Sequence, residues 1–166
     1  MRLDLTGILT GQEKKLPFRF ELDVSDLDFY SVDRFTTPVI AEGEVSDHAG
    51  AIAVTGEITC GVECTCARCL KGFTRELGFD MSAYLAEELQ DEDSEDTYLI
   101  ENSAADMDEI ARTALVLNMD QRFFCKEDCK GLCPKCGKDL NDGPCDCRED
   151  PDPRLAVLGQ LLENND

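Results

Sequence analysis

The sequence predicts a mainly β (α+β) protein: an antiparallel β meander or partly closed barrel, a packing helix, and a C-terminal cysteine-rich segment stapled by zinc. Three observations lead there. Apolar residues alternate with polar ones through the first half of the chain, the period of half-buried strands. Near residue 107 the apolar spacing becomes helical. Residues 125–147 hold six Cys, three Gly and two Pro, and only Leu132 and Leu140 otherwise look apolar. A segment of that composition cannot build its own core, so a metal has to organise it.

In chain order, Phe18, Phe20, Leu22 and Val24 alternate, with Pro17 and the 26–28 region as breaks. Val39, Ala41, Gly43 and Val45 alternate again, and His48 to Gly50 reads as a turn. The clearest strand follows. Ile52, Val54, Gly56, Ile58, Cys60, Val62 and Cys64 share one face, and Glu57, Thr59, Glu63 and Thr65 the other. Cys60 and Cys64 continue the apolar stripe and are expected in the core, where a free thiol behaves as a small hydrophobe. Phe73, Leu77, Phe79, Met81 and Ala83 form the next strand, leaving Cys66 and Cys69 in the turn between the two. Met107, Ile110, Ala111, Ala114 and Leu115 make one helical stripe, with Asp106 as its N-cap. Asp152-Pro153-Arg154 opens a short last helix carrying Leu155, Leu158, Leu161 and Leu162. The expected organisation is a β-rich core over 1–120, with an acidic loop at about 86–105 and a helix at about 106–118. Residues 121–166 then form the zinc-binding segment and the terminal helix.

Charge narrows the function classes. The 166 residues carry 36 acidic and 16 basic side chains, a formal net charge of −20. General RNA binding draws on counterion release by Lys and Arg, which this surface does not offer. One His argues against histidine catalysis. The chain shows no leader pattern and no apolar run near the roughly 20 residues of a membrane span. It is therefore expected in the cytoplasm, where ten reduced Cys point to metal or redox chemistry rather than disulfides. Thirteen acidic residues and no Lys or Arg lie between 76 and 111. The densest part runs from Glu87 to Asp96, a solvated loop that also offers a surface to a basic protein, with Glu87, Glu88, Asp91, Glu92 and Asp93 expected to capture that partner.

The cysteines fall into knuckles. Cys133-Pro-Lys-Cys136-Gly137 turns two thiolates onto one ion, and Gly137 permits the left-handed backbone that the turn needs. Cys145 and Cys147 complete an all-thiolate set of the kind zinc prefers in structural sites, with no open position for substrate. Cys66 with Cys69, and Cys125 with Cys129, are each half a site. They either meet in a second zinc site, or one zinc is drawn from the six C-terminal Cys while Cys66 and Cys69 stay a free pair. That free pair is the basis of a rival reading, a thiol oxidoreductase. Its position between strands rather than at a helix N-terminus argues against it. Arg68, Lys71 and Arg75 around the first knuckle, and Arg122, Lys126, Lys130, Lys135 and Lys138 around the second, could form a local RNA-contacting face.

The run Phe124-Cys125-x3-Cys129-Lys-Gly-Leu-Cys133-Pro-x-Cys136-Gly-x-Asp-Leu-Asn141-x3-Cys145-x-Cys147, followed by Asp152-Pro-Arg-Leu155, resembles the YceD family of large ribosomal RNA subunit accumulation proteins. Cys66-x-Arg-Cys69-Leu before an alternating strand, and the acidic stretch, are similar too. The resemblance implies a non-enzymatic role in accumulation or processing of large-subunit (23S) ribosomal RNA. Its partner would be the RNA precursor or a basic large-subunit ribosomal protein, without a membrane or a small-molecule substrate. The other alternative is a zinc-stabilised interaction adaptor unrelated to ribosomes.

Overall fold

The alternation of Ile52, Val54, Ile58 and Val62 with polar residues gives one apolar face to a 15-residue strand, Ala51–Thr65. In the computed structural model, which describes residues 1–48, 50–88 and 96–147, this strand is the centre of the sheet. The strands are β1 (Arg2–Asp4), β2 (Lys15–Leu22), β3 (Arg34–Phe35), β4 (Val39–His48), β5 (Ala51–Thr65), β6 (Gly72–Ala86), β7 (Thr97–Leu99) and β8 (Ala104–Asp106). The helices are α1 (Thr6–Leu9) and α2 (Met107–Asn118).

The main sheet runs β2-β4-β5-β6-β7, and β3 joins the β4 side of β5. Between β3 and β4 the chain stays on β5 through two bonds. Thr36 N–H donates to Gly61 O (2.8 Å), and Gly61 N–H donates to Thr37 Oγ1 (2.6 Å). All pairs are antiparallel except β6 with β7, where Tyr84 lies beside Thr97. β1 and β8 form a separate antiparallel ribbon. The architecture is thus the expected antiparallel sheet with a packing helix, open rather than closed.

The expected stripe of β5 faces the core: Val54, Ile58, Val62 and Cys64 are fully buried. Opposite them on β6 stand Ala83, Phe79, Arg75 and Phe73. α2 packs on β6 and also reaches β2, so it spans the open side of the sheet. Met107, Ile110, Ala111 and Leu115 are its buried face. Each large apolar side chain so buried stabilises by about 1.5–3 kcal/mol, against about 1 kcal/mol for a good N-cap. Packing therefore dominates, and Asp106 refines the start by accepting from Asp108 N–H at 3.0 Å. Arg112 ties the helix to the 23–26 loop through Asp26 (2.6 Å) and Asp23 O (2.6 Å).

Two expectations are corrected. Pro17 does not break a strand but lies inside β2, opposite Glu44. β2 is an edge strand, where a missing N–H is tolerated on the unpaired side. The stretch from 86 to 105 is not all loop. β6 runs to Ala86, and β7 and most of β8 lie within it; Ile100, just after β7, and Ala105 of β8 are buried in the core. Glu87 and Glu88 are exposed after β6. Asp91, Glu92 and Asp93, like the expected last helix with Leu155, Leu158, Leu161 and Leu162, lie outside the described residues.

Gly43 and Gly56 face each other across β4 and β5. A Cβ on Gly56 would sit 2.4 Å from Glu42 O, and one on Gly43 would sit 2.2 Å from Thr55 O. Both obstacles are backbone, so a side chain forces the strands apart. Gly56→Ala should therefore cost about 1–3 kcal/mol, read as a lower urea midpoint. Ser82→Ala, on the exposed face of the neighbouring strand, should stay within about 0.5 kcal/mol. Equal midpoints for the two variants would contradict the close approach.

Candidate metal centre

The loop from Cys66 to Lys71 turns the chain from β5 into β6. Cys66 N–H donates to Lys71 O (2.9 Å), and Leu70 N–H returns to Cys66 O (2.9 Å). The loop from Cys133 to Lys138 repeats this pattern. Cys133 N–H donates to Lys138 O (2.8 Å), and Gly137 N–H returns to Cys133 O (2.9 Å). The residue after the second Cys is left-handed in both, Gly137 at φ 72° and Leu70 at φ 58°. These are two copies of one knuckle, and the first tolerates a Leu where Gly is the easier choice.

Each knuckle gathers two more thiols. The Sγ atoms of Cys66, Cys69, Cys125 and Cys129 lie within 4.8 Å of one another, and so do those of Cys133, Cys136, Cys145 and Cys147. Within the first cluster, Cys66 is 3.8 Å from Cys129 and Cys69 is 3.6 Å from Cys125. Either cluster could hold a metal ion, and an all-sulfur donor set of this size fits one. The two half-sites left open by the sequence therefore meet. The inner cluster has Cys66, Cys69 and Cys129 buried, with Phe73 and Leu132 packed against them. In the outer cluster only Cys133 is buried, while Cys136 and Cys147 are exposed.

The knuckle backbone prepares the first Cys of each pair as a thiolate. Burial pushes the Cys66 thiol up, but N–H groups of Cys125, Cys69 and Arg68 outweigh it and bring it down to about 6. N–H groups of Cys136 and Lys135, with Cys145, bring Cys133 down to about 6. One partner in each cluster moves the other way. Burial and the neighbouring sulfurs hold Cys125 at about 12, and Cys136, burial and Cys133 hold Cys147 at about 12. Four sulfurs this close cannot all carry charge unless a cation joins them. Cys60 and Cys64 stand apart from both clusters. They are buried in the sheet as expected, and burial pushes the Cys60 thiol to about 11 and that of Cys64 upward.

Several contacts pin the cysteine segment to the first knuckle. Ala67 N–H donates to Phe123 O (2.9 Å), and Phe123 is a buried member of the main core. Arg68 lies 4.5 Å over the Phe124 ring and donates to Glu127 O (3.1 Å) and Cys129 O (3.0 Å). Lys71 Nζ is 2.7 Å from Asp139 Oδ2 and 3.7 Å from Asp142. This pair holds the Asp139 carboxyl down at about 2. Asn141 Nδ2 donates to Cys129 Sγ at 3.4 Å. None of Phe123, Asp139 or Asn141 received a role from the sequence. A lone Phe and a polar pair inside a short loop carry no periodic signal, although Asx side chains close to metal knuckles favour turns.

The candidate RNA-contacting residues are placed unevenly. Arg68 and Lys71 are engaged as described, Lys126 lies 3.8 Å from Asp128, and Lys138 donates to Pro144 O at 2.7 Å. Arg75, Lys130 and Lys135 are exposed on β6, between the clusters and inside the outer knuckle.

The profile of the family described as large ribosomal RNA subunit accumulation protein YceD matches residues 54–162, which contain both clusters. The chain belongs to the YceD family. An uncharacterized protein of Mycobacterium tuberculosis is 30% identical over 116 residues, 67% of this YceD chain and 56% of that protein. The chain thus spans little more than half the length of its mycobacterial relatives. The uncharacterized protein YlbN of Bacillus subtilis is 25% identical over 163 residues, 93% of this chain and 94% of YlbN. The chloroplastic large ribosomal RNA subunit accumulation protein YCED homolog 1 of Arabidopsis thaliana is 39% identical over 59 residues, 35% of this chain and 18% of its own. No solved structure matches. No helix among the described residues is long and apolar enough to cross a membrane.

Because each cluster needs both of its pairs, Cys69→Ser should lower the bound metal from two ions to one and expose residues 123–132 to hydrogen exchange. Cys136→Ser should lose the other ion while the sheet stays folded. Elemental analysis of reduced protein counts the ions. A count that Cys69→Ser leaves unchanged would favour one site drawn from the six C-terminal Cys.

Proposed function

We propose that this chain is a non-enzymatic cytoplasmic factor that supports accumulation of large-subunit ribosomal RNA, with zinc in both four-thiol clusters as structure. The family match over residues 54–162 carries this reading, together with the role that the name of the Arabidopsis relative gives. Zinc suits the donor sets, since four thiolates satisfy its tetrahedral preference and leave no position for a substrate. Thiolates kept as ligands need a reducing compartment. Convergence of Cys66 and Cys69 with Cys125 and Cys129 speaks against a two-cysteine redox pair acting alone.

The partner favoured is a basic large-subunit ribosomal protein rather than bare RNA. Four of the candidate cations, Arg68, Lys71, Lys126 and Lys138, already serve the cysteine segment. The outward face of the sheet is acidic. Glu42, Glu57 and Asp80 lie side by side across β4, β5 and β6. Arg19 neutralises Glu42 at 2.7 Å, whereas Glu57 and Asp80 make no ion pair among the described residues. Like charges directly opposite in a sheet destabilise it, so this row does not serve stability, and a cationic partner relieves it.

Affinity capture of the full chain from cells at moderate salt, with and without ribonuclease, tests the reading. Basic large-subunit ribosomal proteins should remain after ribonuclease, and Glu57→Gln/Asp80→Asn should weaken their capture without altering the metal content. Loss of all ribosomal material on ribonuclease treatment would point instead to direct RNA contact through residues such as Arg75 and Lys130. Recovery of no ribosomal component at all would favour an unrelated adaptor.

A further inference from the structure

The outer cluster closes the eight residues from Gly137 to Pro144 between Cys136 and Cys145. This loop does not stay at the outer cluster. Asn141 Nδ2 reaches back to Cys129 Sγ of the inner cluster at 3.4 Å, and Asn141 Oδ1 accepts from Lys130 N–H at 3.0 Å. Leu140 N–H donates to Gly131 O at 2.9 Å, and Asp139 bridges to Leu132. Asp139 also pairs with Lys71, two residues beyond Cys69. Asn141 is itself aimed by Asp139, whose Oδ1 accepts from Asn141 N–H (2.8 Å) and Nδ2 (2.7 Å).

Among the described residues, Asn141 is the side chain that donates an N–H to a sulfur of the inner cluster. Its position depends on a loop with a single apolar residue, Leu140, and with left-handed Gly137 at one end. Such a loop has little to hold it unless both ends are anchored. The inner cluster, by contrast, sits on β5 and β6 and on the buried Phe123.

We propose that the two clusters are energetically coupled: metal at the outer cluster closes the 137–144 loop, and the closed loop presents Asn141 to Cys129 and Asp139 to Lys71, which tightens metal binding at the inner cluster. Asn141 is then a positioning residue that ligates neither ion. The proposal rests on both clusters being metal sites. Linkage makes the effect reciprocal, so inner metal tightens the outer site by the same factor. Partners that orient metal ligands typically contribute about 10–100-fold in affinity.

Zinc and cobalt(II) affinities of the full chain, measured by chelator competition with native mass spectrometry to count ions, test this. Cys136→Ser/Cys147→Ser disables the outer site, and the inner affinity should fall about tenfold or more below its value in the two-metal chain. Cys69→Ser should lower the outer affinity by the same factor, as reciprocity demands. Asn141→Asp keeps the loop-forming shape but removes the N–H donor. It should lower the inner affinity about 10–100-fold, with the outer cobalt–thiolate bands unchanged. Asn141→Asp added to Cys136→Ser/Cys147→Ser should cause little further loss, because the loop is already open. Equal inner affinities with and without the outer site overturn the coupling while leaving both sites in place. Fewer than two ions in the wild-type chain overturn the coupling and the two-site reading together.

Discussion

Four sulfur atoms drawn from two distant parts of the chain meet where the cysteine segment lies against the sheet. Cys66 meets Cys129 across 63 positions, and Cys69 meets Cys125 across 56. The segment between 125 and 147 has too few apolar side chains to fold by burial. Its contact with the β5–β6 turn is therefore the constraint on which the described residues from 124 to 147 depend. A long closed loop also gains most from a cross-link, since the unfolded chain loses the most freedom. Here the cross-link is a shared donor set, and the turn between β5 and β6 places two of its four cysteines.

Electrostatics works with this constraint. A zinc ion with four thiolates carries a net charge of about −2, so two filled sites add to the acidity of the chain rather than relieve it. The knuckle N–H groups, Arg68, Lys71 and the Asn141 amide surround the sulfurs with positive ends of dipoles or with whole charges. This explains why local basic residues collect here in a chain of net charge −20. Arg68 and Lys71 are engaged in tying the cysteine segment to the first knuckle.

Local signals in the sequence were legible where one element answered to one pattern. The β5 stripe, the burial of Cys60 and Cys64, the start of α2 at Asp106 and the second knuckle each follow from spacing alone. The joining of the two half-sites was open, because it depends on how β5 and β6 are oriented toward residues some sixty positions away. β7 and β8 were hidden by the acidic residues around them, although Ala105 of β8 and Ile100, just after β7, are buried. Pro17 misled because its effect depends on whether its strand is an edge. Leu70 gave no hint of its left-handed turn, since only the parallel with Gly137 exposes it. The contact of Asn141 with a neighbouring cluster's sulfur has no counterpart in any periodicity.

X-ray absorption at the zinc edge on the full chain, purified under reducing conditions and quantified for metal, tests the central claim most directly. The account predicts two zinc ions per chain, each bound by four sulfurs at about 2.3 Å with no nitrogen or oxygen ligand. Mixed ligation, or a single four-sulfur zinc with Cys66 and Cys69 still open to alkylation, would contradict it.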